Sequence, residues 1–186
     1  MRKGAKRIDW KVEDVRYLLE NAGRLPKRDI CQHLKRSSRS VESKARWLRL
    51  RGYAVDLRHH KSVLRPCPSC GCLSGHLGRE GICEPCRRRD QLATIHARIA
   101  DLLPLLPIEE RDTYEQTEAE TESKWDPRPK VPNTSGLSYY AKAKAEEAYA
   151  LAIEEWSATN LRREIKAAQK RKERIEKKVK SMRVYK

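Results

Sequence analysis

The chain has 186 residues, a formal net charge of +16 and a pI near 9.8; 38% of its residues are hydrophobic, 37% are charged, and none is phenylalanine. That composition excludes one large core and fits several small modules with long exposed helices. No apolar run approaches the ~20 residues that span a bilayer, and no hydrophobic leader opens the chain. The basic excess favours a polyanionic partner, above all nucleic acid. Charge also divides the chain: residues 1–66 carry 19 basic against 7 acidic residues, residues 107–135 carry 4 against 8, and residues 136–186 carry 14 against 7. The expected architecture is mainly α: a three-helix helix-turn-helix domain at 1–57, a basic linker at 58–66, a small ribbon with two cysteine pairs at 67–87, a helix at 88–106, an acidic Pro-containing linker at 107–137, and a long helix at 138–183 that forms a hairpin or coiled coil.

In the head, Asp9 is placed to cap a first helix whose apolar positions are Trp10, Val15, Leu18 and Leu19, and Gly23 ends it. Pro26 suits the first turn of a second helix, Lys27 to Leu34, with Ile30 and Leu34 inward and Cys31 as a small core residue. After a turn through Lys35-Arg36-Ser37, Ser37 caps a third helix with Ser40 three residues on, and Val41, Ala45 and Leu48 make one apolar stripe. At about 100° per residue, that stripe puts Arg39, Ser43, Arg46 and Leu50 on the opposite face. Glu42 is expected to pair with Arg46 at i+4.

Trp10, Glu13, Asp14 and Leu18, followed by Ser40-Val41-Glu42-Ser43-Lys44-Ala45-Arg46-Trp47-Leu48, resemble the opening and third helix of Myb/SANT-like tri-helical domains, over roughly residues 7–55. The resemblance implies double-stranded DNA binding through the third helix, with Trp47 in the role of the late tryptophan of Myb repeats. On the residues themselves, Arg39 and Arg46 are the candidates for guanine, since a guanidinium fork grips O6 and N7 together. Ser43 and Ser40 are small enough for close approach, while Arg36, Lys44 and Arg49 flank the face as phosphate anchors. Arg2, Lys3, Lys6 and Arg7 precede the first helix like an arm that enters a minor groove.

The most specific signal is the pair Cys67-Pro68-Ser69-Cys70 and Cys83-Glu84-Pro85-Cys86. Two C-x-x-C turns present four thiolates to one cation, and a closed set of four leaves no place for water, so one structural Zn2+ is the expected occupant. Twelve residues between the pairs allow a short hairpin. Cys72 and His76 lie in the same loop and can substitute as ligands; two disulfides or an iron–sulfur cluster are the other uses of such spacing. The cysteine pattern points to a reducing, intracellular compartment.

Beyond Cys86, Arg87-Arg88-Arg89 opens a helical stretch in which Leu92, Ile95, Ile99, Leu102 and Leu106 alternate three and four apart, with Pro104 disturbing its end. From Pro107 to Ser138 the pattern gives way to acidic residues and prolines, and Trp125 is the one large apolar residue placed to dock. In the tail, Leu161, Ile165, Ala168, Lys172, Ile175, Val179 and Met182 keep the same alternation, with Tyr149, Ile153 and Trp156 in a shifted frame and a stutter or break at Thr159-Asn160. Such a weak seam needs a partner: the 92–106 helix folded antiparallel, or a second chain in a homodimer or larger assembly; the plainer alternative is a single amphipathic helix packed on the zinc module. The Lys/Arg run from Lys166 to Lys180 reads as a solvated face.

No phosphate-binding glycine loop, H-E-x-x-H or nucleophile–base pairing is present, and His59 and His60 read as tether residues, so an enzyme is not expected. The expected function is sequence-specific double-stranded DNA binding in transcriptional regulation. Two alternatives stand beside it: a phage or mobile-element accessory protein for DNA packaging or recombination, and an adaptor that binds a protein partner at the zinc ribbon. No membrane role is expected.

Overall fold

The computed structural model describes residues 9–112 and 125–184. The chain is mainly helical, with α1 at Val12–Asn21, α2 at Lys27–His33, α3 at Ser38–Arg49, α4 at Glu84–Leu102 and α5 at Tyr139–Val184, plus one small antiparallel sheet of β1 (Arg65–Pro66) and β2 (Leu73–Ser74). Among the described residues, no helix is long and apolar enough to cross a membrane. The chain divides into two compact units, one of residues up to Ser62 with Pro132–Ala148, the other of Val63–Val131 with Tyr149 onward.

In the first unit the start of α1 differs from expectation. Asp9 is not its cap: the helix begins after Lys11, whose backbone N–H donates to the Asp14 carboxylate at 3.3 Å. An N3 carboxylate reaching back satisfies a free amide as an N-cap side chain does. Ser37 does cap α3, accepting from the Ser40 amide at 3.3 Å. Four residues join α2 to α3, among them Lys35 at φ +50°, a left-handed turn that a non-glycine residue adopts only where its surroundings fix it. Leu18, Ile30, Val41, Ala45 and Leu48 are buried at 0–2% exposure with Ala22 and Val55, and Cys31 and Leu34 pack against them.

The first unit also takes in the opening turns of α5. The Gly23 carbonyl accepts from the His60 amide at 2.9 Å, Arg24 lies over the Tyr139 ring, and Arg58 lies over the Tyr140 ring. His60 is therefore no tether residue. Its Nε2 sits 3.2 Å from Glu147 Oε1, with both side chains under 20% exposed.

In the second unit α4 begins inside the second cysteine pair, with Cys83 as its N-cap and Pro85 in its first turn, where proline's missing N–H costs nothing. Pro104 converts its end into a 3-10 turn, Leu103–Leu105. Ile95, Ile99, Leu102 and Leu106 bury one apolar stripe against Ile165, Ala168, Ile175 and Val179 of α5. The tail's seam is thus covered within the chain.

The direction of that pairing corrects the antiparallel expectation. Glu84 and Arg87, at the start of α4, line one cavity with Glu154, Glu155 and Ala158, whereas Glu110, past its end, pairs with Lys178 at 2.6 Å. The two helices run parallel, and a parallel pair needs a long return connection. The proline-containing segment supplies it. Trp125 packs edge-to-face on Trp156 at 5.2 Å, the Trp156 indole donates to the Asp126 carbonyl at 2.8 Å, and Asp126 pairs with Arg163 at 2.7 Å.

No break interrupts α5 at Thr159-Asn160. Asn160 is 1% exposed, accepts from the Asp126 amide at 3.1 Å and donates to the Trp156 carbonyl at 3.0 Å. The stutter in the apolar pattern is the receptor for the returning chain. Lys172, in a seam slot, is only half-buried, and most of the Lys166–Lys180 run is exposed, Arg171 being the buried exception.

Candidate metal centre and nucleic-acid interface

The ligand atoms of Cys67, Cys70, Cys83 and Cys86 all lie within 4.8 Å of one another. A tetrahedron of sulfurs at Zn–S distances of 2.3 Å has edges of about 3.8 Å, so the four can hold one metal ion. Local structure explains how they meet. The hairpin does not lie between the cysteine pairs as expected; it brackets the first one, with Arg65 opposite Ser74 and Pro66 opposite Leu73. Inside it the Cys67 amide donates to the Cys72 carbonyl at 2.8 Å and the Gly71 amide to the Cys67 carbonyl at 2.7 Å, which requires Gly71 at φ +73°. The second pair comes from the first turn of α4, whose free amides and positive dipole end favour thiolates.

Electrostatics prepare the site for anionic sulfur. The Cys83 amide donates to Cys67 Sγ at 3.3 Å, and that bond, helped by the amides of Cys70 and Ser69, lowers the Cys67 thiol to about 6 against the opposing effect of burial. Burial pushes Cys83 and Cys86 upward. Arg89 Nη1 lies 3.9 Å from Cys86 Sγ and offsets part of the thiolate charge.

Of the two substitute ligands, the structure separates them. Cys72 Sγ is 2.9 Å from Cys70 Sγ and 3.5 Å from Cys83 Sγ. His76 is turned to the other side of the loop: its amide donates to Ser74 Oγ, the Ser74 hydroxyl donates to Glu154 Oε1 at 2.5 Å, and His76 lines the cavity beside α5.

On the head, Arg39, Ser43, Arg46 and Arg49 are exposed along α3, with Ser40 and Lys44 half-buried at its flank. Ser37, Arg39, Ser40, Ser43, Lys44 and Trp47 line one open concavity with Asp9 and Trp10. Arg36 does not join them. Its side chain is 7% exposed, pairs with Asp14 at 2.8 Å, donates to the Asp9 carbonyl at 2.6 Å and lies 4.4 Å over the Trp10 ring, so it fastens α1 to the turn before α3. Arg2, Lys3, Lys6 and Arg7 lie outside the described residues.

One further residue departs from expectation. Glu42 bonds Lys27 Nζ at 2.5 Å and Ser38 Oγ at 3.1 Å rather than Arg46, which leaves Arg46 without that partner on its own helix. Trp47, aligned with the late tryptophan of Myb repeats, is 40% exposed and lies outside the buried stripe of α3, with Lys44 and Arg51 stacked on its ring at 3.9 and 3.5 Å. At about 100° per residue Trp47 lies roughly 120° from the stripe of Val41, Ala45 and Leu48, so its exposure follows from the helical period. No protein-family model matches the chain, and neither a curated protein nor a solved structure matches it.

Proposed function

We propose that the chain binds double-stranded DNA sequence-specifically through α3 and acts as a transcriptional regulator. The observation that carries this reading is the division of α3: Val41, Ala45 and Leu48 are buried while Arg39, Ser43 and Arg46 project outward on one face. A recognition helix needs long forked donors at its outer face and small residues between them to let it enter a major groove. The short left-handed connection from α2 and the net charge of +16 support the same reading. Lys44 and Arg49 are assigned to phosphates, where contacts anchor without reading sequence. The ion at the four cysteines is proposed to be zinc in a structural role, because four thiolates complete its preferred tetrahedron; one equivalent of zinc in the purified protein tests that assignment.

Selection from random duplex DNA at near-physiological salt tests the function. A sharp motif is expected, and Arg39→Ala or Arg46→Ala should each weaken it by about 1–3 kcal/mol and relax preference at one position. Equal losses on every sequence, or enrichment without a motif, would leave only the electrostatic attraction that any basic surface has.

A second reading is a head that docks a protein. It is favoured by an apolar concavity in which Val12, Val15, Leu19, Trp47 and Tyr53 meet, framed by Arg16, Lys44 and Arg51. In that case Val12→Ala with Leu19→Ala, at two residues outside the α3 concavity, abolishes partner capture and leaves duplex selection unchanged.

A further inference from the structure

The metal cluster contains one thiol more than tetrahedral coordination uses. Cys72 Sγ approaches Cys70 Sγ to 2.9 Å, closer than the 3.6 Å from Cys70 to Cys83 and the 3.5 Å from Cys72 to Cys83. The left-handed turn at Gly71 folds these two side chains together. Exposure differs sharply among the cysteines: Cys67, Cys83 and Cys86 are buried, Cys72 is half-buried, and Cys70 is exposed. The ligand that solvent reaches is therefore the one with a spare thiol against it.

We propose that Cys70 and Cys72 form an oxidation site, in which a hydroperoxide converts the pair into a disulfide and withdraws Cys70 from the metal. The Cys70 thiolate attacks one peroxide oxygen, the O–O bond breaks, hydroxide leaves, and Cys70 becomes a sulfenic acid. The Cys72 sulfur then attacks the sulfenic sulfur, the S–O bond breaks, and the departing hydroxide takes the Cys72 proton as water. Two thiols have lost two electrons and the peroxide has gained them. Closing the bond requires the sulfurs to approach from 2.9 Å to about 2.05 Å, a movement of less than about 1 Å. A bridge across a single glycine is strained and exposed, and such disulfides are the labile, reducible ones, so thiol reductants restore the site. With Cys70 gone, three sulfurs remain and the metal is released.

The test uses the full-length zinc-loaded protein with hydrogen peroxide, and two readouts. Tryptic peptides are mapped by mass spectrometry, where a loss of two hydrogens between Cys70 and Cys72 is expected; zinc release is followed with a chromogenic chelator. Cys72→Ser keeps all four cysteines of the candidate metal set and leaves the Cys72 carbonyl that pairs with the Cys67 amide in place. It should abolish that bridge and slow zinc release at least tenfold, with dithiothreitol reversing the wild-type change. A bridge that maps to other cysteines, or a Cys72→Ser protein that loses zinc as fast as wild type, overturns the proposal. Only the release readout rests on the zinc assignment; if the protein holds no zinc, peptide mapping alone decides.

Discussion

Replacing Gly23 by alanine tests the docking of α5's first turn against the head, and Gly52→Ala supplies the internal control. Both glycines adopt left-handed backbone, at φ +85° and +86°, so an L side chain brings about 1–2 kcal/mol of conformational strain at either position. The surroundings differ. A Cβ on Gly23 would stand 3.1 Å from the Tyr140 amide nitrogen, 3.3 Å from Tyr139 Cδ1 and 3.4 Å from the Asp56 carbonyl, whereas one on Gly52 would meet nothing within 4 Å. Two of the three neighbours at Gly23 are backbone atoms, which cannot rotate away, and crowding of that kind adds about 1–3 kcal/mol. The expected losses are therefore about 1–2 kcal/mol for Gly52→Ala and about 2–5 for Gly23→Ala, the sum of the two effects. Native-state hydrogen exchange at the amides of Leu18, Ile30 and Leu48, all at 0–2% exposure, reads the opening free energy of the head directly. Equal losses in the two variants would refute the close approach of Tyr139-Tyr140 to Gly23 and leave strain alone to explain both.

Acid should destabilise the head. Asp14 is held below the usual carboxylate range by its hydrogen bond from Arg36, Glu42 by that from Lys27, and Asp56 by that from Arg58. A carboxylate whose folded value is depressed stabilises the fold fully above its unfolded value, about 4, and loses that contribution as pH falls through the folded one. Thermal unfolding followed from pH 7 to pH 2.5 should show a midpoint that drops below about pH 4, and Asp14→Asn should flatten the drop; an unchanged profile in that variant would remove Asp14 from the account. In the second unit, Asn160→Leu leaves the Asp126 amide without its acceptor, a loss of about 1–3 kcal/mol. Tryptic cleavage after the exposed Lys130 should then accelerate by roughly 5–150-fold, and an unchanged rate would mean that Trp125 and Arg163 alone hold the returning segment.

What the sequence made legible follows from how local each signal is. The Ser37 cap, the stripe of Val41, Ala45 and Leu48, and the convergence of the four cysteines depend on spacings of three or four residues and on ligand chemistry. The parallel course of α4 and α5 was not legible, because an apolar seam reads the same in either direction and only the path of residues 107–137 decides between them. Arg36 and Arg39 are equally basic in the sequence, yet one is tied to Asp14 across 22 positions and the other is exposed. Asn160 interrupts the apolar pattern, and its partner Asp126 is 34 positions away. A polar residue in a seam signals a break or a receptor with the same letters. Cys72 was readable as a substitute ligand, but its pairing with the one exposed cysteine required the turn at Gly71.

The three apolar clusters among the described residues differ in what can hold them closed. The head buries seven residues from Leu18 to Val55, and the α4–α5 pair buries eight from Ile95 to Val179. Each cluster is made of aliphatic side chains whose full burial is worth about 1.5–3 kcal/mol apiece for the larger ones. The ribbon's buried cluster consists of Cys67, Cys83 and Cys86, with Cys72, Leu77 and Ile82 only partly covered, and its sheet has two residues per strand. Segments of that size do not hold together on apolar burial and so need a metal or a cross-link. The buried residues of the ribbon are themselves the candidate ligands, so on the proposed zinc assignment removing the metal removes the reason for the cluster. Chelation is therefore expected to loosen residues 65–86 while the head keeps its amide protection, and a ribbon that stays protected without metal would show that α5, through Glu154 and Ser74, is sufficient to hold it.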